Sequence, residues 1–66
     1  MRIVLNGEER DVRDGLTLAQ LLEELRFDPS RIAVEVNRQI VPRRQHAALQ
    51  LHNDDRLEVV TFVGGG

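Results

Sequence analysis

Met1, Ile3 and Leu5 alternate with Arg2, Val4 and Asn6, the two-residue period of a half-buried strand. Asn6-Gly7 follows, and this pair favours a type I′ hairpin turn because both central residues need positive φ. The return strand, predicted over residues 8–13, is nearly all polar, as suits a sheet edge. Asp14-Gly15 breaks it. Thr17 and Gln20 then have the T-x-x-Q spacing of a capping box, with Leu16 and Leu21 placed to close a hydrophobic staple. Leu18, Leu21, Leu22 and Leu25 recur at i, i+3, i+4 and i+7, which gives a helix one apolar stripe. Asp28-Pro29 is expected to stop that helix, since the residue before proline avoids helical angles.

A third strand puts Ile32, Val34 and Val36 on one face, and a turn at Asn37-Arg38 leads to a short strand over 39–41 that Pro42 ends. The stretch RRQHAAL reads as a helical turn, and Asn53-Asp54-Asp55 as a tight turn. The closing run RLEVVTFV carries apolar residues on both faces: Leu57, Val59 and Val63 on one, Val60 and Phe62 on the other. This is the pattern of a central strand that also presents a surface. The order β-β-α-β-β, plus a short extra strand, predicts an α+β roll with one helix across one face of a mixed sheet. The expected core is Ile3, Leu5, Leu18, Leu21, Leu22, Leu25, Val34, Val36, Leu57 and Val59. By the same alternation Val4, Val60 and Phe62 fall on the open face, on neighbouring strands flanking the point where the chain leaves the sheet.

Length restricts the function classes. A chain of 66 residues makes one domain that hides only about 60% of its unfolded surface, so it has no room for a deep substrate cleft. A net charge of −2 with mixed signs offers no basic face, and with Phe27 and Phe62 the sole aromatics there is no base-stacking platform. Nucleic acid is therefore not an expected partner. No apolar run approaches the roughly 20 residues of a membrane span, and no signal peptide precedes Arg2, so the cytoplasm is the expected compartment.

Two absences narrow the chemistry. Without cysteine the chain has no disulfide, no thiolate nucleophile and no cysteine-based metal site. All nine basic residues are arginine, so no lysine amine is available for Schiff-base chemistry or self-conjugation. His46 and His52 lie six apart on weak structure with no third ligand nearby; both read as surface or half-buried side chains and no metal is expected. Asp54-Asp55 reads as a solvated turn and Glu23-Glu24 as the polar side of the helix, not as acid–base pairs.

That leaves the last three residues, Gly64, Gly65 and Gly66. Glycine costs more backbone entropy to order than any other residue, so a glycine run at this point does not serve stability. It can thread a narrow channel and adopt angles closed to other residues, and Val63 to Gly66 can reach about 13–14 Å at ~3.3–3.6 Å each.

Four segments, IVLNG, TLAQLLEEL, EVNRQIVPRRQH and VVTFVGGG, together resemble the ubiquitin-like β-grasp sulfur carriers, and among them the carriers of thiamine biosynthesis. The resemblance spans the whole chain without an insertion. It departs from the family at the last turn, where Asn53-Asp54-Asp55 replaces a common Asp-Gly-Asp, so Asn53 or Asp54 must take a left-handed conformation. It implies a β-grasp domain over residues 1–63 with a flexible glycine tail over 64–66, monomeric when free. It also implies a protein co-substrate, not an enzyme, with no bound cofactor. A ThiF-type activating enzyme would use ATP to adenylate the carboxylate of Gly66. A cysteine-desulfurase pathway would supply sulfur to make a thiocarboxylate, and a thiazole synthase (ThiG-type) would consume it. Val4, Val60 and Phe62 would form the docking patch for these partners. Carriers for molybdopterin synthesis or tRNA thiolation share the tail and remain alternatives, as do a ubiquitin-like protein modifier and a β-grasp binding module.

Overall fold

The structure, a computed structural model, describes residues 1–62; Val63 and the predicted tail Gly64, Gly65 and Gly66 lie outside the described residues. Strands β1 (Arg2–Leu5) and β2 (Glu8–Asp11) form an antiparallel hairpin, turned by Asn6 at φ 49° and Gly7 at φ 83°. The Asn-Gly signal thus produces the turn its backbone angles demand. β2 stops at Asp11, short of the predicted Arg13: Val12 N–H donates to the Met1 carbonyl at 2.8 Å, and the chain then turns away at Asp14 and Gly15.

Helix α1 (Leu18–Glu24) begins with the predicted capping box. Gln20 N–H donates to Thr17 Oγ1 at 3.2 Å, and Thr17 N–H donates to Gln20 Oε1 at 2.9 Å. The remaining free amides of the first turn find tertiary partners: Leu18 N–H reaches the Leu49 carbonyl and Ala19 N–H the His46 carbonyl, both at 2.9 Å. A helix start with every donor satisfied explains how so short a helix is held. Thr17→Ala removes one of those partners, and thermal unfolding should show a loss of about 1 kcal/mol.

The helix ends earlier than the proline rule suggests. Leu25 is the C-cap, and Arg26 takes the left-handed conformation at φ 63°. Phe27 N–H donates to the Leu22 carbonyl (2.9 Å) and Arg26 N–H to the Glu23 carbonyl (3.0 Å), the two bonds of a Schellman motif. Asp28-Pro29 instead opens a 3-10 turn over Pro29–Arg31, capped by Asp28 Oδ1, which accepts from Ser30 N–H at 3.0 Å and Ser30 Oγ at 2.7 Å. The Ser30 hydroxyl, then the Ser30 amide, hold the Asp28 carboxyl below the usual carboxylate range, with Arg31 and Arg43 adding to this. The cap therefore contributes above the unfolded carboxylate pKa and fades as pH falls through the lower folded value.

Strand β3 (Ile32–Val36) turns through Asn37 and Arg38, at φ 51° and 67°, into β4 (Gln39–Ile40). A second 3-10 turn (Arg43–Gln45) and a loop lead to β5 (Arg56–Thr61). The expected left-handed residue in the preceding turn is Asp54, at φ 70°. The sheet order is β2-β1-β5-β3-β4, with β5 in the centre, parallel to β1 and antiparallel to β3.

All predicted core residues are buried except Leu25, which is half-buried beside the C-cap. Leu16, Ile32 and Leu51 join them. Leu51 belongs to no periodic segment. It is drawn in because Leu51 N–H donates to the Leu16 carbonyl at 2.9 Å, lashing the loop to the strand-like entry of α1.

Candidate functional site

Along β5 the two faces separate as the alternation requires. Leu57 and Val59 are buried under α1, whereas Val60 and Phe62 are 59% and 58% exposed. In antiparallel pairing, directly opposed residues share a face, so Ala33 stands beside Val60 and Glu35 beside Glu58 on the open side. Glu35 in turn opposes Ile40 of β4, which is 76% exposed.

The predicted patch needs one correction. Val4 is half-buried and level with Arg56, not with Val60. Val60 lies four residues further along β5, about 13 Å away at ~3.3 Å per residue. Val4 shares the open face but sits at its other end, so the apolar residue directly beside Val60 is Ala33, while exposed Ile40 lies further out on β4, level with Glu35 and Glu58. Hydrophobic alternation could place these residues on a face; only strand order and register show which of them meet.

Asn6 was legible as a turn residue and has a second part. Its carboxamide acts as an extra strand position against β5: Val59 N–H donates to Asn6 Oδ1 at 2.8 Å, and Asn6 Nδ2 donates to the Val59 carbonyl at 3.2 Å. This closes the β1 side of the ladder at Val59. From Val60 onward β5 extends past β1, so the last described residues project beyond that neighbour.

The remaining polar candidates are structural. His46 is buried, against the expectation of an exposed or half-buried ring, because its Nε2 lies 3.1 Å from the Val41 carbonyl and has a partner there. His52 is exposed. Asp55 accepts from Asn37 Nδ2 at 2.9 Å and from His52 N–H at 2.7 Å, so its carboxylate ties two turns together. Arg2, on the open face, pairs with Asp11 at 3.2 Å and Glu9 at 3.8 Å; the hydrogen bond and charge of Asp11, then Glu9, raise its pKa further. Among the described residues no three His, Cys, Asp or Glu side chains gather to hold a metal, and no helix is long and apolar enough to cross a membrane. A groove of about 500 Å³ lies on the helix side, floored by Leu22, Phe27 and Ala47 with Arg26, Arg43 and Asp28 at its rim. Its lining holds no serine, threonine, cysteine or lysine, and His46 there is turned to the Val41 carbonyl.

A five-stranded mixed sheet with a parallel pair at its centre and one helix across one face is the ubiquitin-like β-grasp fold. It superimposes on the crystal structure of a thiamine biosynthesis protein (ThiS) from Geobacter metallireducens with a TM-score of 0.86, at 28% identity and full coverage of both chains. The pattern that defines the ThiS family matches residues 3–66, and the chain belongs to that family. It is 32% identical over 66 residues to the sulfur carrier protein ThiS of Escherichia coli, covering 100% of each chain. It is also 44% identical over 66 residues to a stretch of a thiazole synthase from Paramagnetospirillum magneticum. The chain spans about a fifth of the length of such synthase relatives (20%).

Proposed function

We infer that this protein is a sulfur carrier of thiamine biosynthesis whose reactive group is the carboxylate of Gly66. The family match, which runs through residue 66, carries this reading. The chemistry of the chain supports it independently. A carboxylate is a poor acyl donor until it bears a leaving group. An oxygen of the Gly66 carboxylate attacks the α-phosphorus of ATP in a ThiF-type enzyme, pyrophosphate leaves, and an acyl-adenylate forms. The terminal sulfur of a persulfide from a cysteine-desulfurase pathway then attacks the carbonyl carbon and AMP leaves, giving an acyl disulfide. A thiol reductant cleaves its S–S bond, is itself oxidised to a disulfide with the sulfur donor's thiol, and releases the thiocarboxylate. With no cysteine in the sequence, no side-chain thiol competes for that sulfur. Gly64 and Gly65 lead the reacting carbon into an active site that a domain this small cannot build for itself.

The protein acts as a cytoplasmic co-substrate with no bound cofactor, monomeric when free. The likeness of the whole chain to part of thiazole synthases favours a thiazole synthase as the recipient of the sulfur. Loading is tested by intact mass after incubation with ATP, the adenylating enzyme and a sulfur donor. One sulfur-for-oxygen exchange, localised by fragmentation to Gly66, is expected. Protein that stays unmodified, or carries sulfur elsewhere, overturns the reading.

The exposed side chains of Val60 and Phe62 serve docking. Val60→Asp and Phe62→Asp should leave the melting temperature nearly unchanged, since neither side chain is buried, and should weaken binding to both partners by about tenfold or more. Equal affinity of both variants and the parent in a titration would remove the patch from the site.

A further inference from the structure

The open face carries a feature that hydrophobic docking alone does not explain. Glu35 of β3 and Glu58 of β5 are directly opposed in register, both outward and exposed. Side chains so placed have Cβ atoms about 4.5–5.5 Å apart, and like charges there oppose the pairing. No ion pair reaches either carboxylate among the described residues; Arg56, the next outward residue on β5, makes none either. The register cannot slip to separate them, because the flanking pairs Val34–Val59 and Val36–Leu57 are buried, and a one-residue shift would turn them to solvent. The fold therefore holds two negative charges together, bordered by exposed Val60 along β5 and Ile40 across β3.

Resting on the carrier reading, we propose that this paired carboxylate is the specificity element of the docking face, and that it receives a guanidinium from a partner protein, ringed by apolar side chains that cover Val60, Phe62 and Ile40. A guanidinium presents several donors in a planar fork and can bond two carboxylates at once, which converts their repulsion into attraction on binding. A second copy of this chain does not fit: a two-fold contact centred on this face would set the acidic pair against itself.

The test is a titration of the parent, Glu58→Gln, Glu35→Gln and Glu23→Gln against the adenylating enzyme and the thiazole synthase, at low and at physiological salt, with a melting curve for each. Glu23 lies exposed on α1, remote from the sheet's open face, and controls for net charge. The two sheet variants should melt about 2–4 °C higher, because they relieve the pair, yet bind at least one partner about tenfold more weakly. Their affinity should also depend less on salt than the parent's, while Glu23→Gln binds within about twofold of it. A parent that binds while the sheet variants bind equally well overturns the inference alone. A parent that binds neither partner overturns the carrier reading and the inference with it. A self-associating parent whose dimer is lost on Phe62→Asp also overturns the inference.

Discussion

Removal of Gly66 should abolish sulfur loading and leave the domain folded. The shortened chain still ends in a carboxylate, now on Gly65, but set back by about 3.3–3.6 Å. In-line displacement at a phosphate tolerates little of this, since a misplacement of about 1 Å can cost roughly 100-fold in rate. Gly65→Val should fail for another reason. Its branched side chain is stiff at χ1, resists positive φ and adds bulk where the acyl group must pass through a partner's channel. The core cluster of the described residues runs from Ile3 to Val59 and neither variant changes it, so both should melt with the parent. Intact mass then separates the outcomes: the parent gains one sulfur-for-oxygen exchange and neither variant does. Loading of the truncated chain at the parent's rate would mean that the reacting carbon is not where this reading puts it.

Leu22→Ala should cost roughly 2–5 kcal/mol, which for a domain this small is much of its stability. Leu22 is 1% exposed, lies mid-helix on the stripe that meets the sheet, and supplies the carbonyl that closes the Schellman motif at Phe27. Truncation removes the side chain's buried surface and leaves a cavity that a short, doubly capped helix cannot collapse to fill. The melting temperature should fall by about 10 °C or more. An unchanged melting curve would contradict the packing of α1 on the sheet. Sulfur loading by the folded fraction should persist, which separates this variant from those in the tail.

Much of this architecture was legible in the chain because its signals are local. Asn6-Gly7, the Thr17–Gln20 capping box and the leucine stripe each fix their geometry within a few residues, and each appears where expected. The helix end shows how local rules compete: the proline was read as the stop, but the chain had already turned at Arg26, whose left-handed conformation carries no glycine to announce it. Leu51 and His46 lay beyond reach for a different reason. Each is buried by a loop whose course is set by hydrogen bonds to α1 and its entry, and no period in the sequence records such bonds.

The site divides along the same line. The terminal glycines, the missing cysteine and the outward phase of Val60 and Phe62 are properties of composition and of a two-residue period, and the sequence by itself determined them. Which outward residues become neighbours was decided only by tertiary structure. Parallel pairing of β1 with β5 sets Val4 beside Arg56, away from Val60, and antiparallel pairing with β3 brings Glu35 against Glu58 and Ala33 against Val60. Alternation assigns a face, but contact across strands depends on strand order and register. Those are fixed by burial of Val34, Val36, Leu57 and Val59 beneath one helix, a condition that exists only once the chain has folded.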